Sequence, residues 1–154
     1  MTKEHLKNGD KMKLTDEQIK SIAEDLECGM KVYVHKETNE IKSIINLDEN
    51  IYADEEVWKA DIKEIEENYD KYVEFEKMDS RESFQVMEEF VETVKDEELR
   101  KKLELGLSLS KPFRNFKDII DDEEEYREKW FAFKSGKYID YVKERLDNYN
   151  NALE

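Results

Sequence analysis

The first clear pattern along the chain is an apolar stripe of helical spacing near its start. Apolar side chains recur at i, i+3, i+4 and i+7, at Ile19, Ile22, Ala23 and Leu26. Thr15 and Gln18 form a T-x-x-Q capping box before the stripe, and Gly29 follows it where a helix needs a left-handed residue. The pattern predicts an amphipathic helix between Thr15 and Gly29.

The pattern then changes to strict alternation, which is typical of strands. Side chains alternate over Met30–His35, and the same period continues over Ile41–Ile45 after a polar stretch. These two segments predict a β-hairpin. A third alternating run at 71–78, with Val73 and Phe75 on one side, predicts a third strand with one wet face. We therefore expect a small antiparallel three-stranded sheet.

A second helix is predicted between the hairpin and the third strand. Asp54 can cap this helix, and Glu55 and Glu56 would lie favourably at its positive end. The side chains predicted to form its buried face are Trp58, Ile62, Ile65 and Tyr69.

From Asp79 onward the starts of several short helices can be recognised. Asp79 and Glu82 make an acidic variant of the capping box, and Asp96 can start the next helix. Pro112 suits the first turn of another helix, because its missing N–H costs nothing there. We expect Asp121 or Asp122 to cap the helix that follows.

Each of these helices carries its own apolar stripe. The stripes are Phe84, Met87, Phe90, Val91 and Val94; Leu99, Leu103 and Leu107; Phe113, Phe116 and Ile120; Tyr126, Trp130 and Phe133; and Ile139, Val142, Leu146, Tyr149 and Leu153. We expect Gly136 to break the run between the last two stripes.

These elements define an α+β fold, with the small sheet in the N-terminal half and a bundle of short helices in the C-terminal half. The chain has 154 residues, which suits one domain with a hydrophobic core. We predict a flexible lead-in at residues 1–13 and a single α+β domain at residues 14–154.

The charge of the chain is strongly negative and unevenly distributed. The formal net charge is −15, and the segment from Leu47 to Leu99 holds 20 Asp or Glu against six Lys or Arg. Such a field repels nucleic-acid phosphates and anionic membranes, so a basic partner is the easier match. A solvated surface that keeps the protein soluble is the simpler interpretation.

The compartment is predicted from what the chain contains. A single cysteine, Cys28, excludes an intramolecular disulfide and fits a reducing compartment. The N-terminus has no apolar core of signal-peptide length, and no run approaches the roughly 20 apolar residues that span a bilayer. We expect a cytoplasmic protein that does not enter the membrane.

Residues 111–134 also resemble a known family. A Pro-Phe-x-x-Phe-Lys-Asp run, an acidic stretch and then Trp-Phe-x-Phe-Lys are similar to bacterial uncharacterised protein family 0158. The resemblance extends more weakly through the helix with Phe84 and Phe90 and through the hairpin, where Asn39-Glu40 replaces an expected Gly-Glu turn. It implies one coherent fold and a bacterial origin, and it supplies no activity or catalytic residues.

The sequence contains no strong catalytic motif. The four glycines are isolated, which excludes a Gly-rich phosphate cradle. Cys28 with His35 is a weak nucleophile–base candidate, and we expect Cys28 to be a small buried hydrophobe. The five carboxylates at 121–125 would point around a helix, and favourable charge at its N-terminus explains them without a metal. We expect no metal and no cofactor.

A binding surface is the stronger candidate. The candidate residues are Lys111, Arg114, Lys117, Arg127, Trp130 and Phe131. Bases and acids are equal, at seven each, over residues 111–137, so this segment is neutral in a strongly acidic chain. Arginine beside exposed aromatics is typical of interface hot spots. The alternative is that the aromatics, Phe113, Phe116, Trp130 and Phe133, are simply core, with Phe131 the exposed member.

Three functional hypotheses follow. The first is a non-enzymatic protein-binding or regulatory module that uses the basic-aromatic C-terminal face or the acidic middle. The second is an RNA- or DNA-associated protein that uses Lys111, Arg114, Lys117 and Trp130, with aromatic stacking beside the phosphate contacts. The net charge counts against this hypothesis. The third is a metal-dependent hydrolase of unrecognised type. The partner and the oligomeric state stay open.

Overall fold

The computed structural model describes residues 11–45 and 55–153 and has the predicted α+β fold. The described residues form two compact units. Those before Met78 and those after Lys137 make up the first unit, and Met78–Lys137 makes up the second. Residues 1–10 of the predicted lead-in (1–13) and the predicted cap Asp54 lie outside the described residues.

The first unit contains the sheet and the helices that cover it. Its elements are α1 (Asp16–Glu27), β1 (Met30–His35), β2 (Ile41–Ile45), α2 (Glu55–Glu67), a 3-10 turn (Tyr69–Lys71) and β3 (Tyr72–Phe75). The second unit contains α3 (Ser80–Thr93), α4 (Glu97–Ser108) and α5 (Pro112–Asp121). The last helix, α6 (Glu124–Ala152), runs from the second unit into the first.

Helix α1 begins and ends as its sequence predicts. Thr15 Oγ1 accepts the Gln18 N–H at 3.1 Å, and Gln18 Oε1 accepts the Thr15 N–H at 2.9 Å, which completes the capping box. Gly29 follows the helix with φ of +86°, a conformation that only glycine adopts without strain. The whole predicted apolar stripe is buried: Ile19, Ile22, Ala23 and Leu26.

The sheet has the strand order β2-β1-β3, and both pairings are antiparallel. On one face, Val32 and Val34 of β1 and Phe75 of β3 are buried. Ser43 of β2, which lies opposite Val32, donates a hydrogen bond of 2.5 Å to Asp25 of α1. This contact places α1 on the Val32 face of the sheet.

The prediction that the third strand keeps one wet face is wrong at Tyr72. Tyr72 and Ile44 share the other face, and both are buried together with Ile65 of α2. Partly buried Tyr33, Trp58 and Ile62 pack around them. Alternation fails as a guide here because the tyrosine side chain is apolar enough to be covered while its hydroxyl donates to Glu64 at 3.0 Å.

Tyr69 is a second correction, because it does not belong to the buried face of α2. The α-helix ends at Glu67, and Tyr69 opens the 3-10 turn with 58% of its surface exposed. Its hydroxyl donates to Glu74 Oε1 at 2.9 Å. The change from the 3.6-residue period to the tighter turn rotates the side chain away from the α2 stripe.

Two residues of the predicted lead-in, Met12 and Lys13, make hydrogen bonds with residues far along the chain. Met12 is buried, and its backbone N–H and C=O both bond the Asn150 side-chain amide, at 2.8 and 2.9 Å. The Lys13 carbonyl accepts from Asn39 Nδ2 at 2.9 Å. These bonds join residues far apart along the chain, so local sequence cannot reveal them.

The predicted starts of α3, α4 and α5 are confirmed. Asp79 Oδ1 accepts the Glu82 N–H at 2.8 Å and Glu82 Oε1 accepts the Asp79 N–H at 3.0 Å, so the acidic capping box forms. Asp96 Oδ1 accepts the Leu99 N–H at 3.1 Å at the start of α4. Pro112 is the first residue of α5.

Two boundary predictions near α6 are wrong. Asp121 lies in the last turn of α5 and Asp122 follows as its C-terminal cap, so neither caps α6, which begins at Glu124. Gly136 does not end a helix either, because α6 is continuous to Ala152. Hydrogen bonds within the helix, and the buried Trp130 and Tyr138 on either side, outweigh the roughly 1 kcal/mol propensity cost of one glycine.

Gly106 has a packing role that Gly136 lacks. Helices α4 and α5 approach so closely there that an added Cβ would lie 3.1 Å from Ile119 Cδ1 and 3.3 Å from Asn115 Cβ. Asn115 Nδ2 donates to the carbonyls of Gly106 and Ser110, both at 2.9 Å. Asn115 therefore closes the α4–α5 turn and cannot easily give way.

Replacing either of the two helical glycines by alanine should change the free energy of unfolding, but in opposite directions. Gly136→Ala adds a Cβ that meets nothing within 4 Å, so we expect the free energy of unfolding to rise by about 0.5–1 kcal/mol. Gly106→Ala should lower it by about 1–3 kcal/mol through overpacking. Urea unfolding of both variants measures the difference, and a stabilised Gly106→Ala variant would contradict the close approach of α4 and α5.

Tyr33 should make the first unit sensitive to alkali. Burial, followed by the nearby negative charge of Glu74, raises the pKa of Tyr33 from about 10 to about 12. The unfolded phenol thus loses its proton first, so this stability is complete below pH 10 and is lost as pH rises toward 12. Urea unfolding of Tyr33→Phe should show a smaller fall across that window, while equal falls in both proteins would count against the shift.

Candidate functional site

The predicted binding residues lie on α5 and the first half of α6, within the second unit. Arg114, Lys117 and Asp121 occupy one face of α5, at i, i+3 and i+7, opposite the buried Phe116. We call the surface formed by Arg114, Lys117, Asp121, Arg127 and Phe131 the Arg–Phe surface.

Asp121 is the charge that organises this surface. Its Oδ2 lies 2.8 Å from Lys117 Nζ, and its Oδ1 lies 3.4 Å from Arg127 Nε. The hydrogen bond from Lys117 is the main cause that lowers the pKa of the Asp121 carboxyl, and the same bond raises the pKa of Lys117. The carboxylate thus holds cations from two helices close together.

Arg127 also contacts an exposed aromatic ring. Its guanidinium carbon lies 5.2 Å from the centroid of the Phe131 ring, one helical turn further along α6. Phe131 is 48% exposed, so much of this ring faces solvent. A guanidinium held between a carboxylate and a ring has less rotamer freedom to lose when a partner binds.

The other two predicted bases are exposed and stand at the start of α5. Lys111 is the residue before the helix, in the left-handed conformation with φ of +56°. Arg114 lies one turn before Lys117 on the same face. Neither has an ion pair with another described residue. Their charges are therefore open to a partner.

Trp130 needs a correction, because it is a core residue. It is 9% exposed, and its ring contacts Phe116 at 4.8 Å and Phe90 at 5.3 Å between centroids. Phe133 also packs on Phe90, at 5.4 Å. The predicted alternative, in which these aromatics are core, therefore holds for Trp130 and Phe116, while Phe113 is 43% exposed. A buried indole is not available to stack on a nucleic-acid base.

The structure also bears on the weak nucleophile–base candidate, Cys28 with His35. Cys28 is exposed at the end of α1, contrary to the prediction of a buried hydrophobe. His35 Nδ1 accepts the N–H groups of Glu37 and Thr38, at 3.1 and 3.4 Å, and its ring packs edge-on against Tyr72. Histidine thus stabilises the hairpin turn. The Cys28 thiol is not hydrogen-bonded to it among the described residues.

The described ranges, 11–45 and 55–153, contain no cluster of side chains that could bind a metal ion. No three His, Cys, Asp or Glu side chains there are grouped so that they could hold an ion. The acidic run at 121–125 is divided between the end of α5 and the start of α6, and Asp121 and Glu125 contact lysines.

Sequence reasoning missed Asp121 as a member of the surface. The acidic run suggested a helix cap, because several carboxylates precede the next apolar stripe. The available signal was the spacing of Lys117 and Asp121, which lie at i and i+4 and so form a helical ion pair. No local signal could reveal the contact between Asp121 and Arg127, which belong to different helices.

The chain belongs to a family of unassigned function. The model of Uncharacterised protein family (UPF0158) matches residues 20–152, which confirms the resemblance seen at 111–134. Searches of the curated proteins and of the solved structures found no match. Among the described residues, no helix has both the length and the apolar character needed to cross a bilayer.

Replacing Trp130 by alanine should lower the stability far more than replacing its neighbour Phe131. Trp130→Ala removes a buried ring and should lower the free energy of unfolding by about 3–5 kcal/mol. Phe131→Ala removes a half-exposed ring and should lower it by less than about 1 kcal/mol. Urea unfolding measures both, and a large loss in Phe131→Ala would show that its ring is structural.

Proposed function

We propose that this protein is a non-enzymatic protein-binding module that contacts its partner through the Arg–Phe surface. The observation that carries the proposal is Arg127, held at once by the Asp121 carboxylate and the half-exposed Phe131 ring. Arginine and aromatic side chains dominate the energetics of protein interfaces. A bacterial, cytoplasmic setting is part of the proposal.

The partner should offer an acidic group beside an apolar pocket. Arg114 and Lys111 can approach a carboxylate, and the exposed Phe131 ring can enter the pocket. Arg127 keeps donors free for a carboxylate, because the guanidinium has five N–H groups and Asp121 lies against its Nε. These features favour a folded protein surface over a metal ion or a small cofactor.

The nucleic-acid alternative is the weaker one. Its stacking residue, Trp130, is buried, and the net charge of −15 opposes phosphate binding. Lys117 is also partly neutralised by Asp121.

A nuclease-treated pulldown from bacterial lysate tests the proposal. We expect wild-type protein to retain a partner protein that Arg127→Ala/Phe131→Ala loses by at least tenfold, because the double change removes both the cation and its ring. Retention that disappears with nuclease, or a partner held equally by both proteins, would contradict the proposed surface.

The matched control changes a second ion pair on the same helix. Glu125 and Lys129 form an exposed i, i+4 pair at 3.0 Å. Glu125→Ala/Lys129→Ala also removes two exposed side chains and should retain the partner within about twofold, because surface pairs contribute little. Thermal unfolding of both variants confirms that the fold is intact.

A further inference from the structure

A separate groove lies between α3 and α4 of the second unit and has a volume of about 370 Å³. Its lining combines apolar side chains with carboxylates and one hydroxyl. The lining residues are Phe84, Glu88, Val91, Glu92, Glu104, Leu107 and Ser108. No Lys or Arg is among them, so the groove has a single sign of charge.

Three glutamates form the charged rim of the groove. Glu88, Glu92 and Glu104 are exposed, and none is in an ion pair with any residue in the described part of the chain. The glutamates outside the groove that do pair are Glu89 with Lys137, Glu97 with Lys101 and Glu125 with Lys129. The groove therefore gathers carboxylates whose mutual repulsion a cationic partner would relieve.

The floor of the groove offers apolar contact. Val91 is buried, while Phe84 and Leu107 are partly exposed. The ring of Phe113, 43% exposed, packs edge-on against Phe84 at 6.3 Å between centroids and extends the apolar surface beyond the groove. Covering these side chains would remove further apolar area from water.

We propose that this groove binds a basic amphipathic helix of a partner protein. From Phe84 to Glu92 the groove follows α3 for about 12 Å, at roughly 1.5 Å per residue, which is about two helical turns. A helix that lies along it can place apolar anchors at i, i+3 or i+4 and i+7 on the floor. Its flanking Lys or Arg side chains then meet the glutamates on the rim.

This surface shares no residue with the Arg–Phe surface and would bind the opposite charge. The inference thus goes beyond the proposed function, and either can fail without the other. Phosphate-bearing partners are repelled by the rim glutamates, and the absence of a prepared metal cluster among the described residues argues against a cation alone.

Fluorescence anisotropy with a labelled model peptide tests the groove. The probe is an amphipathic peptide of about 18 residues made of Leu and Lys, with Leu at i, i+3, i+4 and i+7, long enough to form a helix. We expect Glu88→Gln/Glu92→Gln/Glu104→Gln to weaken binding at least tenfold. A peptide of equal charge with Ser in place of Leu should bind at least tenfold more weakly to the wild type.

The matched control removes the same number of charges elsewhere in the unit. Glu98→Gln/Glu124→Gln/Glu128→Gln changes three exposed glutamates outside the groove and should weaken binding less than twofold. Equal weakening in the two triple variants, equal binding of the Ser peptide, or no binding by the wild type would overturn the proposal. Arg127→Ala/Phe131→Ala should bind the Leu–Lys peptide like the wild type, which keeps this test independent of the Arg–Phe surface.

Discussion

The second unit depends on the contact of three aromatic rings from three helices. Phe116 of α5, which is fully buried, packs edge-on against Trp130 of α6 and against Phe90 of α3, with centroids 4.8 and 6.3 Å away. Edge-to-face rings favour particular angles as well as burial, so this cluster fixes the rotation of each helix about its axis. Trp130 points inward, and its neighbour Phe131, which lies about 100° further around the helix, is half-exposed and meets Arg127.

Local sequence determined the beginnings of the helices better than their ends. A cap is a short-range device, so Thr15, Asp79, Asp96 and Pro112 could each be recognised from a few neighbouring residues. An end depends on whether packing can carry the chain past a weak residue. At Gly136 it can, and α6 continues, although the glycine suggested a break in the helix.

The sequence could not predict which residues are buried in the sheet and which are exposed on the Arg–Phe surface, and the physical reason is the same in both places. Periodicity says which residues share a face, but it does not say what covers that face. Tyr72 alternates like an exposed residue and is nevertheless buried by α2, because a tyrosine can satisfy its hydroxyl at the edge of a core. In the same way, Trp130 and Phe131 could both be assigned to an aromatic segment, yet only the packing of Phe90 and Phe116 decides which one reaches solvent.

The two surfaces of the second unit use charge differently. On the Arg–Phe surface, Asp121 lies between Lys117 and Arg127, two cations that would otherwise repel each other. In the groove, the carboxylates have no paired cation among the described residues. A preordered surface gains affinity because less side-chain entropy is lost on binding. Where all charges of a groove have the same sign, electrostatic attraction mainly raises the rate and the selectivity of association. Binding to such a groove therefore depends more strongly on salt.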